Sequence, residues 1–437
     1  MKRGRRIWLV LLGCGVIGLI AVLIGWRDHG PDYRGRSNAI IGFAPEAMGK
    51  ESQPGREISM GLPPSPGASI VVAPDGVILK DGKAWRGIGI NYFSAFNRLI
   101  ESGDDTSSFS GLDVLAKHKI PFIRFACCGF WPNEWSLYRT NKVEYFRRMD
   151  RFVAEARKRN IGLIPSLFWY DGCIPDVVGE PRNQWGNPKS KTIAFMRQYV
   201  NEVVGRYLHE PAIWAWELGN EYSLGADLPN AAEHRPPVDH DLGTAAARSA
   251  EDDLTHEMVV TACAEFARAV RALDSTRPIT TGHSLPRRAA EHLRREKTWT
   301  QDSPEEFERN LLDVTPLPCD LISVHLYPFD KERFNAKDTP YTQTMRYCME
   351  AARRGGKALF VGEFGAPDSQ KDGGPEAARK NILEMIAALE STGVPLAALW
   401  NFDLTGQDSS LNVAADHPQN WVLDELQHAN ERLQRQH

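Results

Sequence analysis

Seven cysteines are spread over 437 residues, with no CxxC pair and no Cys/His cluster at zinc-site spacing. A metal-stapled domain is therefore excluded, and most of these thiols read as ordinary buried residues. Also missing is a Gly-rich turn of the kind that cradles phosphate between a strand and a helix, which argues against a doubly wound nucleotide-binding sheet. No short internal repeat is present, so a solenoid is excluded. The net charge of -4 comes with no concentrated basic face, which excludes a nucleic-acid partner.

What the chain does have is tryptophan, 12 residues of it. Such a count fits a Trp-rich core, and it also fits a sugar-binding cleft, where a flat ring covers the apolar face of a pyranose.

The amino terminus is unlike the rest. Residues 1–6 read MKRGRR and form a basic head. Residues 7–26 carry no charge and are long enough to span a bilayer as a helix. The head is expected on the cytoplasmic side, which puts the rest of the chain outside the cytosol, periplasmic or extracellular. A cleaved signal peptide is the rival, but its apolar region is usually shorter and no A-x-A site follows. Leu11-Leu12-Gly13-Cys14 also resembles a lipoprotein cleavage motif, although the apolar run continues past Cys14. Residues 27–67, ending GLPPSPG, read as a linker.

From Ala68 onward the pattern is that of a folded domain, 68–437. Turn signals at Pro74-Asp75-Gly76 and Asp81-Gly82 predict a short β-hairpin. Strand-like segments then alternate with helix-like ones. The strands are expected at Arg86–Asn91, Pro121–Phe125, Gly162–Phe168, Ile213–Leu218, Pro278–Gly282, Leu321–Leu326, Ala358–Gly362 and Ala397–Asn401. Apolar spacing predicts helices at Val143–Arg159, Lys191–Tyr207, His256–Leu273, Tyr341–Arg354, Pro375–Leu389 and Leu423–Leu433. Eight strands alternating with helices predict an α/β fold, a (β/α)8 TIM barrel.

Chemistry in such barrels occurs at the carboxyl ends of the strands. Strand four runs out into Glu217-Leu218-Gly219-Asn220-Glu221, and strand seven into Gly362-Glu363-Phe364-Gly365. Two carboxylates on strands that face across the barrel mouth are what glycosidic cleavage needs: one protonates the leaving oxygen, the other attacks or activates water. Arg124 closes strand two and would hold Glu363 ionised. His283 ends strand five, His325 and Tyr327 end strand six, and Trp400 ends strand eight.

In these residues the chain resembles the clan of (β/α)8 glycoside hydrolases that contains the family 5 cellulases and β-mannanases, over roughly residues 70–435. The Asn-Glu after strand four, the His-x-Tyr at strand six, the GEFG at strand seven, the strand-two Arg and the strand-eight Trp carry the likeness. The resemblance implies Glu221 as acid/base and Glu363 as nucleophile. It implies that Asn220 binds the sugar 2-hydroxyl, that Arg124 and Tyr327 orient Glu363, that His325 hydrogen-bonds near the site, and that Trp400 forms its floor. Two departures stand out: Tyr222 replaces the Pro that often follows the acid/base in cellulase-like members, and Phe168-Trp169-Tyr170 replaces a frequent strand-three His. A Trp there is closer to mannanase-like members.

The expected activity is a retaining, endo-acting hydrolase of a β-linked polysaccharide of β-mannan or β-glucan type. An exo-acting β-glycosidase is the alternative, with the polar stretches 224–251 and 283–303 long enough to close one end of a cleft; a non-catalytic sugar-binding barrel is a third reading. The mechanism calls for no cofactor and no metal. The partners expected are a polysaccharide or oligosaccharide substrate and the membrane, through the amino-terminal helix. Trp131, Trp135, Trp169, Trp185 and Trp400 lie at or just after expected strand ends, and several of them are expected to line an open cleft, while Trp214 and Trp216 are expected to belong to the core. In an oxidising compartment, Cys127 or Cys128 is expected to bridge to Cys173.

Overall fold

A computed structural model of the protein describes residues 70–404 and 409–435. The basic head, the apolar segment 7–26 and the linker 27–67 lie outside the described residues. Among those described, no helix is long and apolar enough to cross a membrane.

The eight expected strands form a closed parallel barrel: β1 (Gly87–Asn91), β2 (Phe122–Ala126), β3 (Gly162–Phe168), β4 (Trp216–Gly219), β5 (Ile279–Thr280), β6 (Leu321–Leu326), β7 (Ala358–Phe364) and β8 (Leu396–Leu399). Every residue in them is buried, because the inner faces pack on one another and the outer faces on helices. Strand β5 shrinks to two ladder residues, and Gly282, with φ of 75°, turns the chain away soon afterwards. The expected hairpin becomes a three-stranded antiparallel sheet, Ile70–Val72, Ile78–Lys80 and Lys83–Ala84. Ile70 and Ile78 pack with Phe122, Ile164, Leu321 and Phe360, so this sheet caps the amino-terminal end of the barrel, away from the strand ends that carry chemistry.

The six expected helices are present with ends shifted by at most a few residues, for example Lys142–Lys158 and His256–Arg271. Others escaped the sequence reading. Ser107–Lys117 is one; Ala290–Glu296 and Pro304–Asp313 fill the connection from β5 to β6. The last of these had a legible start: Ser303 and Glu306 form a capping box, with Pro304 at the first helical position.

One irregularity in the barrel matters for the site. Strand β7 pairs Val361 with Val324 but Glu363 with His325, so Gly362 is an extra residue in the ladder. Side chains alternate with period two, and Phe360 packs into the barrel interior. In a regular ladder Glu363, three residues after Phe360, would point outward at the helices. The bulge turns it inward, beside His325.

Candidate active site

Arg124 on β2 is the hub. Its guanidinium is fully buried, and its donors reach three other strands at their ends, β1, β4 and β7. Nε donates to both carboxylate oxygens of Glu217 (2.8 and 2.9 Å). Nη1 donates to Oε1 of Glu363 (2.8 Å) and to Oδ1 of Asn91 (3.1 Å), and Nη2 donates to Oδ1 of Asn220 (2.8 Å). Trp169, directly after β3, lays its ring 4.4 Å from the guanidinium carbon, a cation–π contact that fixes the plane of the fork. The expected pairing of Arg124 with Glu363 is present. Glu217, two residues into β4, is a second carboxylate on the same cation, one the sequence reading passed over although it stands four residues before Glu221.

Glu363 is held from the other side by Tyr327, whose hydroxyl donates to Oε2 at 2.6 Å. Glu221 follows β4 in the left-handed region, φ 57° and ψ 25°, with its backbone N–H bonded to Gly282 O at 2.9 Å. That backbone turn directs the side chain over the barrel mouth. Oε1 of Glu221 lies 2.8 Å from Nδ1 of His325, which is itself 3.6 Å from Oε2 of Glu363. Ligand atoms of Glu221, His325 and Glu363 all lie within 4.8 Å of one another. Such spacing would suit a cation, but Arg124 and Tyr327 already bind both Glu363 oxygens. A second close group, His292, Asp302 and Glu306, lies apart from the site, and backbone N–H groups already bond Asp302 and Glu306.

Burial separates the protonation behaviour of these groups. It pushes the Glu221 carboxyl up to about 7, against the opposing pull of Arg124 and a hydrogen bond from Ser284. It pushes His325 down to about 4, so the imidazole is neutral near pH 7.

Asn220, His325, Tyr327 and the two carboxylates thus converge as expected. Trp400 is 5.8 Å from Trp169, with Phe93 against both rings. His283 does not join them: it turns toward Cys263, Nε2 to Sγ 3.4 Å, and burial holds it down to about 3. Trp135 and Trp185 are core residues, 1% exposed, with their indole N–H groups bonded to Gly129 O and Asp171 O. Their expected place in an open cleft is corrected: the Trp135 ring packs on Phe195 and Tyr199 of an outer helix, and the Trp185 ring on Phe168 and Tyr222. Trp214 and Trp216 are buried, as expected.

Trp131 is buried too, at 2%, packed on Phe130 and Tyr170. The loop that leaves β4 accounts for the cover on this side. Arg248 forks onto Asp176 (2.7 and 2.7 Å), Asn133 donates to Asp241 O, and a Cβ at Gly172 would lie 3.2 Å from Pro236. The rim from β2 to β4 is therefore covered by the protein's own chain, and Trp131 does not stand in open solvent. The six cysteines among the described residues are all buried and free. The expected bridge to Cys173 does not form: Cys128 Sγ accepts from Trp169 N at 3.4 Å, while Cys173 faces Gly129 O.

Residues 85–403 match the family model described as cellulase, glycosyl hydrolase family 5. Among curated proteins, the chain is 33% identical over 81 residues to mannan endo-1,4-beta-mannosidase A of Podospora anserina, 17% of this chain and 21% of that protein. It is 36% identical over 81 residues to mannan endo-1,4-beta-mannosidase F of Aspergillus fumigatus, covering 17% and 18%. The matched stretch spans about a fifth of these relatives' length. Among solved structures, the fold is similar to the endo-1,4-beta-mannanase of Rhizomucor miehei, at a TM-score of 0.56 and 14% identity, covering 84% of this chain and 100% of that one. It is also similar to an exo-beta-1,4-mannosidase from Opitutaceae bacterium strain TAV5, at a TM-score of 0.55 and 17% identity, covering 81% and 61%. With the barrel closed and the family's model matched over most of its length, the chain belongs to glycosyl hydrolase family 5.

Proposed function

We propose that the protein is a retaining hydrolase of β-linked mannan- or glucan-type chains, with Glu363 as nucleophile and Glu221 as acid/base. The observation that carries this reading is the spacing of the pair. Carboxylate oxygens of the two lie within 4.8 Å, close to the roughly 5 Å of a retaining pair and short of the roughly 6.5–9.5 Å that an inverting pair needs to admit water.

In the first half-reaction an oxygen of Glu363 bonds to the anomeric carbon, and the glycosidic C–O bond breaks as Glu221 gives its proton to the departing oxygen. In the second, Glu221 takes a proton from water while that water displaces Glu363, so the configuration is restored. Asn220, aligned by Arg124, is suited to the 2-hydroxyl, and Trp400 to the floor under the reacting sugar. Trp169 serves as the support for Arg124.

Endo action on β-mannan is the mode supported by likeness to mannan endo-mannosidases. Exo trimming is favoured by one specific observation, the covered rim between β2 and β4. Both modes are tested by incubating the full-length chain in detergent with mannan, glucan and xylan and sizing the products. A ladder of oligosaccharides means endo action, a single small sugar means exo action, and no product from any of the three overturns the hydrolase reading. The proposal includes a membrane tether through residues 7–26 with the barrel outside the cytosol. Release into the soluble fraction without detergent, with a new amino terminus, would refute it.

A further inference from the structure

We propose that Glu217 is a positioning residue for the reaction, acting through Arg124 on both Glu363 and Asn220. The inference rests on the retaining reading above.

A guanidinium is a rigid plane with five N–H donors. Fixing one edge of that plane fixes the aim of the rest. In this protein the Nε edge is fixed by Glu217, at 2.8 and 2.9 Å, and the two remaining nitrogens point at Glu363 and Asn220, both at 2.8 Å. Glu217 itself is fully buried and touches nothing on the open side of the site. A second buried carboxylate on a single cation leaves an uncompensated negative charge indoors, which is costly to the fold. The surroundings are built to keep it. Ser166 on β3 stands opposite Glu217 in the ladder. Just after β5, a Cβ at Gly282 would lie 1.8 Å from Gly219 O and 2.9 Å from the Glu217 carboxyl carbon, so only glycine lets the chain pass there.

Sharing also divides the charge of Arg124. The charged and titratable groups facing Glu363 are Arg124 from β2, Glu221 after β4, and His325 and Tyr327 from β6. Of these only Arg124 is cationic near pH 7, and Glu217 shares its charge through Nε. Neutralising Glu217 returns the whole field to Glu363 and favours its carboxylate.

The test is Glu217→Gln in the full-length chain, assayed on an aryl β-mannoside and an aryl β-glucoside. A fall in kcat on the order of 10- to 100-fold is expected from a misaimed fork, with KM little changed. The acidic limb of the kcat/KM profile is expected to move to lower pH. Glu217→Asp keeps the charge but draws it back from Nε; it is expected to lower kcat without moving the limb, and it stands in if the Gln variant does not fold. A folded Gln variant with wild-type kcat, or one whose loss leaves the acidic limb unmoved, overturns the proposal, as does a folded Asp variant of wild-type rate. Absence of hydrolysis by the unmodified protein on both glycosides instead sinks the hydrolase reading.

Discussion

Glu221 and His325 are joined by a 2.8 Å hydrogen bond between Oε1 and Nδ1, made by an acid that burial pushes up to about 7 and an imidazole that burial pushes down to about 4. Below a pH of about 7, with the acid protonated and the imidazole neutral, the pair therefore carries no net charge. A neutral imidazole can accept from the protonated acid or donate to the carboxylate by changing tautomer, so it can follow Glu221 through both halves of a retaining cycle.

The first prediction is the pH dependence that follows. Glu221 must carry its proton to assist bond cleavage, and that proton is held below about 7 and lost above it. The kcat/KM for an unactivated substrate should fall as pH rises through about 7. For an aryl glycoside with a good leaving group the fall should be weaker, because the departing oxygen needs less help. A pH–rate comparison of the two substrates checks this, and identical profiles would contradict it.

The two carboxylates should fail differently. Glu363→Ala is expected to abolish activity on every substrate. Glu221→Ala should retain activity on activated aryl glycosides, and azide should raise it by taking the place of the water that Glu221 no longer activates. Product configuration, read by NMR, should match that of the substrate. A product of inverted configuration would reverse the assignment of Glu363.

Gly362→Ala tests the bulge in β7. A Cβ there would lie 3.0 Å from Nε2 of His325 and 3.2 Å from Oγ of Ser323, both buried. The overpacking should cost about 1–3 kcal/mol of stability. It should also lower kcat, since His325 and Glu363 are the two residues that the bulge aligns. A thermal melt and a kcat measured well below the transition separate the two effects. An unchanged kcat would show that the bulge is not needed to aim Glu363.

The tryptophans should divide in the same experiment. Trp135→Ala removes a core ring and is expected to cost about 3–5 kcal/mol, with kcat preserved at a temperature where the protein stays folded. Trp169→Ala removes the face on which Arg124 rests and should lower kcat at that same temperature. Equal kcat for both variants would mean that Trp169 is packing alone.

Much of this was legible without coordinates. Eight apolar segments of strand length, separated by helical spacing, dictate a closed barrel because each strand must be buried on both faces. Glu221 and Glu363 could be picked out because a carboxylate that ends an apolar run lies where the barrel opens. These are local signals carried by neighbours in the chain. The placement of Arg124 beside Glu363 also followed, since a buried cation needs an anion and few strand ends supply one.

The remainder depended on contacts between residues far apart in sequence. Period-two alternation alone would turn Glu363 outward; the register against β6 and the bulge at Gly362 turn it in. Glu217 reads as one more polar residue in WELGNE until Arg124, 93 residues away, is found on it. Trp131 and Trp135 stand at similar places after β2, yet the β4 loop lies over the rim beside the first, while the second packs on the helix Lys191–Arg206. Cys128 and Cys173 sit at the same barrel face, as their strand ends require, but each is packed against a different neighbour and remains a thiol. Burial and strand order are written in local pattern. Register, ring cover and the sharing of one cation by two acids arise only when the barrel closes, because closure is what brings those distant groups within bonding distance.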